Sequence, residues 1–534
     1  MDRTRESEEP VARWSARQSR KIVSWIVVEG DLVLTEPAHF GNGEVGDFVD
    51  MPLLIDEQSA PRSRPLLTGD SIAGALRTYL RSRAFGHRAE LPDPDDDRAV
   101  HAENSGPAVL LLGGFPGDDE GNQSPLVVRD SLGDRPTSPD DEYQPGIELR
   151  EGVRIGEESR TARHEGLFDL EAWSRGTVFP LRFELAITEG EESPDPELLR
   201  QALYAGLSGF ANGEIALGAR KRRGFGKAEV ERWRARRYDL TDPDDLLDWI
   251  EHGDDSLDES RETGDLREAL GVTEPLEDRR EWFRVTATFG LDSSLLIRSG
   301  AGPSVEGPDT VHLHALQPDG PPQPVLSGTS VAGALRARAL KIAKTLAGDE
   351  QEARALIDAM FGPPPEEEGE PEASRVHTRE KTIQNATDNL VQNRVSIDRF
   401  TGGAYPGALF NQQPVFGDEE TDLTVDLKLV KPGGYPRSDR KDPEQDATLE
   451  DHEFGLLLLL LKDLWTGDLP LGGETNAGRG RLKGKKASLT WRENGREQTW
   501  RVEAAGGQLR VDGDAAKLEA CVSSLNQHLN PEEP

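Results

Sequence analysis

Residues 66–77 read LLTGDSIAGALR, and residues 325–336 read VLSGTSVAGALR. The shared frame L-[TS]-G-x-S-[IV]-A-G-A-L-R is too long for coincidence, and self-similarity of this kind marks a duplicated structural unit. Three further blocks follow the same order in both halves. Upstream, GNGEVGDFVDMPLLID (41–56) matches SGAGPSVEGPDTVHLHAL (299–316), and Asp50 precedes Thr68 by the same 18 residues that separate Asp309 from Ser327. Downstream, GVRIGEESRTARHEGLFDLE (152–171) pairs with RVSIDRFTGGAYPGALFNQQ (394–413), sharing V-x-I and a later L-F. Last, LGARKRRGFGKAEV (217–230) pairs with LGGETNAGRGRLKG (471–484). The chain must therefore fold as two copies of one plan.

Local pattern fills in that plan. SRKIVSWIVVEGDLVLTEP (19–37) and EWFRVTATFGLDSSLLI (281–297) have the β-branched, partly alternating look of strands that open each half. SIAGALRTYLRSRAFG (71–86) spaces Ile72, Leu76 and Leu80 as one helical face with Ser71 as N-cap, and SVAGALRARALKIAKTLAG (330–348) repeats it. Strands are expected at 175–187 and 421–431, and helices at 196–211 and 452–465. Each half is thus β–α–insertion–β–α–β, an α+β plan compatible with a ferredoxin-like core. The expected divisions are an N-terminal tail (1–19), a first domain (20–235), an acidic linker (236–280), a second domain (281–486) and a C-terminal extension of hairpin and helix (487–534).

The 534 residues carry 63 Lys and Arg against 99 Asp and Glu, a net charge of −36, which taken alone argues against a nucleic-acid partner. The distribution overrides the total. Acid collects in loop-like stretches at 90–100, 239–265 and 361–372, which read as solvated surface, whereas base collects in GARKRRGFGK (218–227) and RGRLKGKK (479–486). Cys521 is the single cysteine, which excludes an internal disulfide framework and a cysteine-rich zinc site and fits a cytoplasmic address. EFGLLLLLLKDLW (453–465) is the most apolar run and too short to span a membrane.

A Gly-Ser helix start such as Gly69–Ser71 or Gly328–Ser330 turns backbone N–H groups and a hydroxyl toward solvent at the positive end of the helix dipole, where phosphate binds well. The same residues also serve as an ordinary cap for close packing. Arg77 and Arg336, farther along each helix, are candidate phosphate contacts or packing residues. In the first basic turn, Arg220, Lys221, Arg222 and Arg223 suit phosphates and Phe225 suits base stacking; the second turn keeps Asn476, Arg479 and Arg481. Asp50 and Asp309 sit in loops where aspartate is usually a turn residue, and spacing alone does not make them catalytic. His312 and His314 make only a weak metal pattern.

Together the four blocks resemble the RAMP (repeat-associated mysterious protein) superfamily of CRISPR systems, in particular the backbone subunits of type III effector complexes. GDFVDMPLLID followed by LLTGDSIAGALR is similar to the family's signature, RVSIDRFTGGAYPGALF to its thumb-bearing stretch, and LGARKRRGFGKAEV to its C-terminal Gly-rich loop. Two fused copies resemble the double-backbone subunit of type III-D complexes. The resemblance implies an RRM-like core in each half with a thumb-like β-hairpin insertion, each half binding a short segment of CRISPR RNA within a complex of other effector subunits. It also implies metal-dependent endoribonuclease activity on target RNA, with Mg²⁺ or Mn²⁺, at the aspartate before the Gly-Ser helix: Asp50, and Asp309 in a looser context. Two alternatives stay open. One is a non-catalytic RNA-binding scaffold of the same complex. The other is a repeat-RNA processing endonuclease, for which His39 would be the general base.

Overall fold

The computed structural model describes residues 21–46, 48–56, 63–87, 97–114, 123–136, 146–157, 159–190, 193–299, 307–364, 372–432, 451–505 and 508–530. The tail expected at 1–19 lies outside these residues.

In the first unit, strand β1 (Lys21–Leu34) sends Ile26, Val28, Leu32 and Leu34 into the core. Helix α1 (Gly69–Phe85) buries Ile72, Leu76 and Leu80 on the expected face. It starts earlier than its apolar period suggests: Thr68 is the N-cap, and its hydroxyl accepts the N–H of Ser71. Short helix α2 (Pro107–Leu112) and strand β2 (Leu126–Val128) follow, then a hairpin of β3 (Ile147–Ile155) and β4 (Ala162–Trp173). Strand β5 (Val178–Glu189), helix α3 (Pro196–Ala211) and strand β6 (Ala228–Asp239) close the unit. The sheet runs β6-β1-β5-β2, all antiparallel, so α1 carries the chain from β1 to β2 with β5 lying between them.

The acidic stretch at 236–280 is no loose connector. Its helix α4 (Pro243–His252) sets Trp249 against Trp25, with ring centroids 5.4 Å apart. Arg182 donates to the carbonyls of Gly253 and Asp255, and Leu270 and Val272 join the first core. Apolar residues and arginines on the first sheet hold it down, an outcome its acidity concealed.

The second unit repeats the order: β7 (Trp282–Leu291), α5 (Gly328–Leu346), α6 (Glu350–Phe361), β8 (Val376–Thr378), a hairpin of β9 (Gln392–Ile397) and β10 (Ala404–Gln413), β11 (Leu423–Val430), α7 (Asp451–Trp465) and β12 (Leu482–Glu493). Its sheet runs β12-β7-β11-β8, the order of the first. Beyond β12, β13 (Arg496–Ala505) and β14 (Gln508–Asp512) extend the sheet, and α8 (Ala515–Leu529) packs on α7 with Cys521 buried. No helix among the described residues is long and apolar enough to cross a membrane.

Candidate nucleic-acid interface

The loop that follows each opening strand is tied to the second strand of its hairpin. In the first unit, Asp169 Oδ1 accepts the N–H of Asp50 at 2.8 Å and Asp50 Oδ2 accepts the N–H of Asp169 at 3.1 Å. In the second, Asn411 Oδ1 accepts the N–H of Asp309 at 2.6 Å and Asp309 Oδ2 accepts the N–H of Asn411 at 2.8 Å. The next residues pair in parallel, Met51 with Leu170 and Thr310 with Gln412. Both aspartates are exposed. Residue type alone does not single out Asp169 and Asn411, although each directly follows the shared L-F of its block.

The two Gly-rich turns share one backbone. Gly218, Gly224 and Gly226 have φ of 77°, 88° and 73°; Gly472, Gly478 and Gly480 have 79°, 86° and 76°. Between them Arg220 and Glu474, neither a glycine, take the left-handed conformation at φ 56° and 57°. A Cβ on Gly226 would strike the carbonyl oxygen of Leu217, and one on Gly480 that of Leu471, so no other residue fits. At the matching position the turns place Phe225 and Arg479, only 4% and 3% exposed. Phe225 packs on Leu170 and Ala172 at the hairpin base, and Arg479 donates to Gln392 and Gln412 of the other hairpin. The stacking role expected of Phe225 is therefore corrected: its ring plugs the turn against the hairpin. Arg479 is likewise held inside, leaving Asn476 and Arg481 exposed on that turn.

Other expected contacts are also reassigned. The N-terminus of α1 is filled by the protein itself, because Asp130 Oδ1 accepts the N–H of Gly69 at 2.7 Å, and Ser71 is bonded to Thr68. Arg77 donates to the carbonyls of Leu112 and Gly113, capping the C-terminal end of α2. Gly328 packs against the carbonyl of Arg223, so the start of α5, with Ser330 in its first turn and half-buried, receives the first basic turn. Thr378 joins them: its N–H donates to the carbonyl of Arg222 at 2.9 Å and its hydroxyl to that of Gly328 at 2.8 Å. The backbone of the first basic turn is thus one part of the joint between units. Its side chains still gather charge: Lys221 and Arg223 are exposed, and burial together with Arg223 pushes Arg220 down to about 10. Such crowding of cations is relieved by an anion.

Arg336 is not a solvent-facing cation. It donates to Glu157 at 3.2 Å and to Asp358 at 2.7 Å, and Arg354 donates to Glu157 at 2.8 Å. Glu157 belongs to the tip of the first hairpin, which thereby lies on α5 and α6. On the second hairpin Ile397, Phe400, Tyr405 and Leu409 are exposed, Phe400 at 91%. His39 is 3% exposed with Nδ1 2.7 Å from the Glu171 carbonyl, so it faces no substrate. His312 is fully buried. Among the described residues no group of three or more His, Cys, Asp or Glu could hold a metal ion.

A family model described as RAMP superfamily matches residues 31–229 and 288–483, one stretch in each unit. No curated protein matches the chain.

Proposed function

The chain belongs to the RAMP superfamily, generally associated with CRISPR-Cas RNA-binding subunits, and on that premise we propose that it is a double-backbone subunit of a type III effector complex. In this reading each ferredoxin-like unit binds one segment of CRISPR RNA between its Gly-rich turn and its hairpin, and complementary target RNA is cleaved beside Asp50 and Asp309. The observation that carries the reading is the same reciprocal bond, Asp50 to Asp169 and Asp309 to Asn411, in both units. An exposed carboxylate is held at one fixed place relative to each hairpin, so a backbone bent over that hairpin meets an oriented acceptor. The residues fit a hard divalent cation only in part. Asp50 and Asp309 would each supply a carboxylate oxygen, with RNA phosphates and water completing the shell, the habit of Mg²⁺. Bound there, the cation would supply charge stabilisation. Asp50 and Asp309 would orient the 2′-hydroxyl in line with the scissile phosphate; its proton would pass to solvent water as the new bond forms, and the 5′-oxygen would leave with a proton from water, giving a 2′,3′-cyclic phosphate and a 5′-hydroxyl end.

The joint inside the chain also supports assembly with other subunits. One basic turn docks on the start of α5, and the second turn presents Asn476 and Arg481 at the surface. A neighbouring effector subunit would receive that second turn as the second unit receives the first. A scaffold without catalysis is the second reading. What favours it is that Asp50 and Asp309 each already accept a backbone N–H, as turn residues do.

Cleavage of target RNA by the reconstituted complex, with guide RNA and Mg²⁺ or Mn²⁺, decides between them. Asp50→Ala and Asp309→Ala should each remove one mapped cut while binding persists. An unchanged cut pattern in the double variant assigns the chain to scaffolding.

A further inference from the structure

We propose that Asp169 and Asn411 are positioning residues: each holds the aspartate of its unit in place by accepting that residue's backbone N–H. The inference rests on the cleavage reading for its consequence, but the geometry behind it is independent.

Three observations carry it. The bond is made twice, with N–H to side-chain oxygen distances of 2.8 Å at Asp50 and 2.6 Å at Asp309. The acceptor is a carboxylate in one unit and an amide in the other, so what the two share is an oxygen at one place and not a charge. An amide neither takes a proton nor binds a hard cation as a carboxylate does, which separates Asp169 from a second catalytic acid.

The third observation is where the loop is otherwise fixed. After Asp50 it is pinned, since Leu53 donates to Glu171 at 3.0 Å and Leu54 to the Phe40 carbonyl at 2.6 Å. Before Asp50, Val45 is 83% and Phe48 98% exposed, so little packing holds that side. Asp169 therefore makes the last fixed point before the open part of the loop. It can do so because its neighbours Leu170 and Ala172 are buried with Phe225, which makes that end of β4 a rigid support.

The test uses the reconstituted complex with Asp169→Ala, Asp169→Asn, Asn411→Ala and Asn411→Asp, mapping the two cuts separately. Amide hydrogen exchange at Asp50 and Asp309 is followed in the free chain. Asp169→Ala should slow the cut that depends on Asp50 at least tenfold, leave the other cut and guide binding intact, and speed exchange at the Asp50 amide. Asp169→Asn should recover both the cut and the protection. Asn411→Ala and Asn411→Asp should behave in the same way toward Asp309. An Asp169→Asn variant as slow as Asp169→Ala would make the charge itself necessary and overturn the proposal. So would an Asp169→Ala variant with normal cutting and normal exchange. If Asp50→Ala and Asp309→Ala leave both cuts in place, the cleavage reading fails instead. Exchange alone then decides whether Asp169 and Asn411 position the loops.

Discussion

Arg150 on β3 of the first unit donates from both terminal nitrogens to the carboxylate of Glu380 in the second unit, at 3.2 and 3.0 Å. Both side chains are buried, Arg150 at 4% and Glu380 at 1% exposure. Glu148 completes the contact, accepting from Arg150 Nε at 2.7 Å and from the N–H of Leu316 at 2.9 Å. Removing one member of such a cluster strands the others without water, at a cost of about 3–5 kcal/mol. Arg150→Met should therefore split thermal unfolding into separate transitions for the two units, read by calorimetry. One cooperative transition at the wild-type temperature would show that the pair does not couple them.

The Gly-rich turns make a second prediction with an internal control. Gly480→Ala forces a Cβ into the carbonyl of Leu471 at φ 76°, whereas a Cβ on Gly478, at φ 86°, meets nothing within 4 Å. The left-handed penalty alone is about 1–2 kcal/mol. Gly478→Ala should cost about that much, and Gly480→Ala measurably more, in the denaturant midpoint of the second unit. Equal losses would mean the turn can shift to admit the methyl group.

What was legible beforehand follows the range of the interaction. The faces of α1 and α5 were readable because Ile72, Leu76 and Leu80, and their counterparts, repeat at the helical period. The apolar period puts the start of α1 three residues late because Thr68 and Ser71 are both good caps and only the fold chooses between them. Phe225 looked like a stacking ring because it stands between basic residues; what buries it, Leu170 and Ala172, lies more than fifty residues upstream on a hairpin. The roles of Arg222 and Gly328 depend on Thr378, and no local pattern joins these three positions. Asp169 and Asn411 are within reach of the sequence, since both lie inside the repeated block, one residue past its shared L-F.

The two hairpins should differ in mobility. The tip of the first is held by Glu157 through Arg336 and Arg354, while the second carries Phe400 in the open. In the free chain, amides at Gly156 and Arg160 should exchange more slowly than those at Asp398 and Gly402, whose turn bonds are similar in length. Glu157→Ala should erase much of that difference at a cost of about 1 kcal/mol, because these ion pairs are half-exposed. Equal exchange in the wild type would remove the asymmetry.

Acid should weaken the second unit through His312. Its Nδ1 accepts the N–H of Ile297 at 3.1 Å, so the proton sits on Nε2, which donates to the carbonyl of Val325 at 3.0 Å. Burial pushes its pKa down to about 4, against about 6.5 for an unfolded histidine. Between those values the unfolded chain takes up a proton that the folded one refuses, so stability falls as pH falls from 6.5 to 4. The contribution of this one residue has a limiting slope of about 1.4 kcal/mol per pH unit. His312→Asn keeps an acceptor near Nδ1 and cannot titrate, so it should reduce the slope of the urea midpoint against pH over that window, leaving the part owed to His452, which burial also pushes down to about 4, even if the variant is less stable overall. The same slope in both proteins would place the acid sensitivity elsewhere and leave His312 a packing residue only.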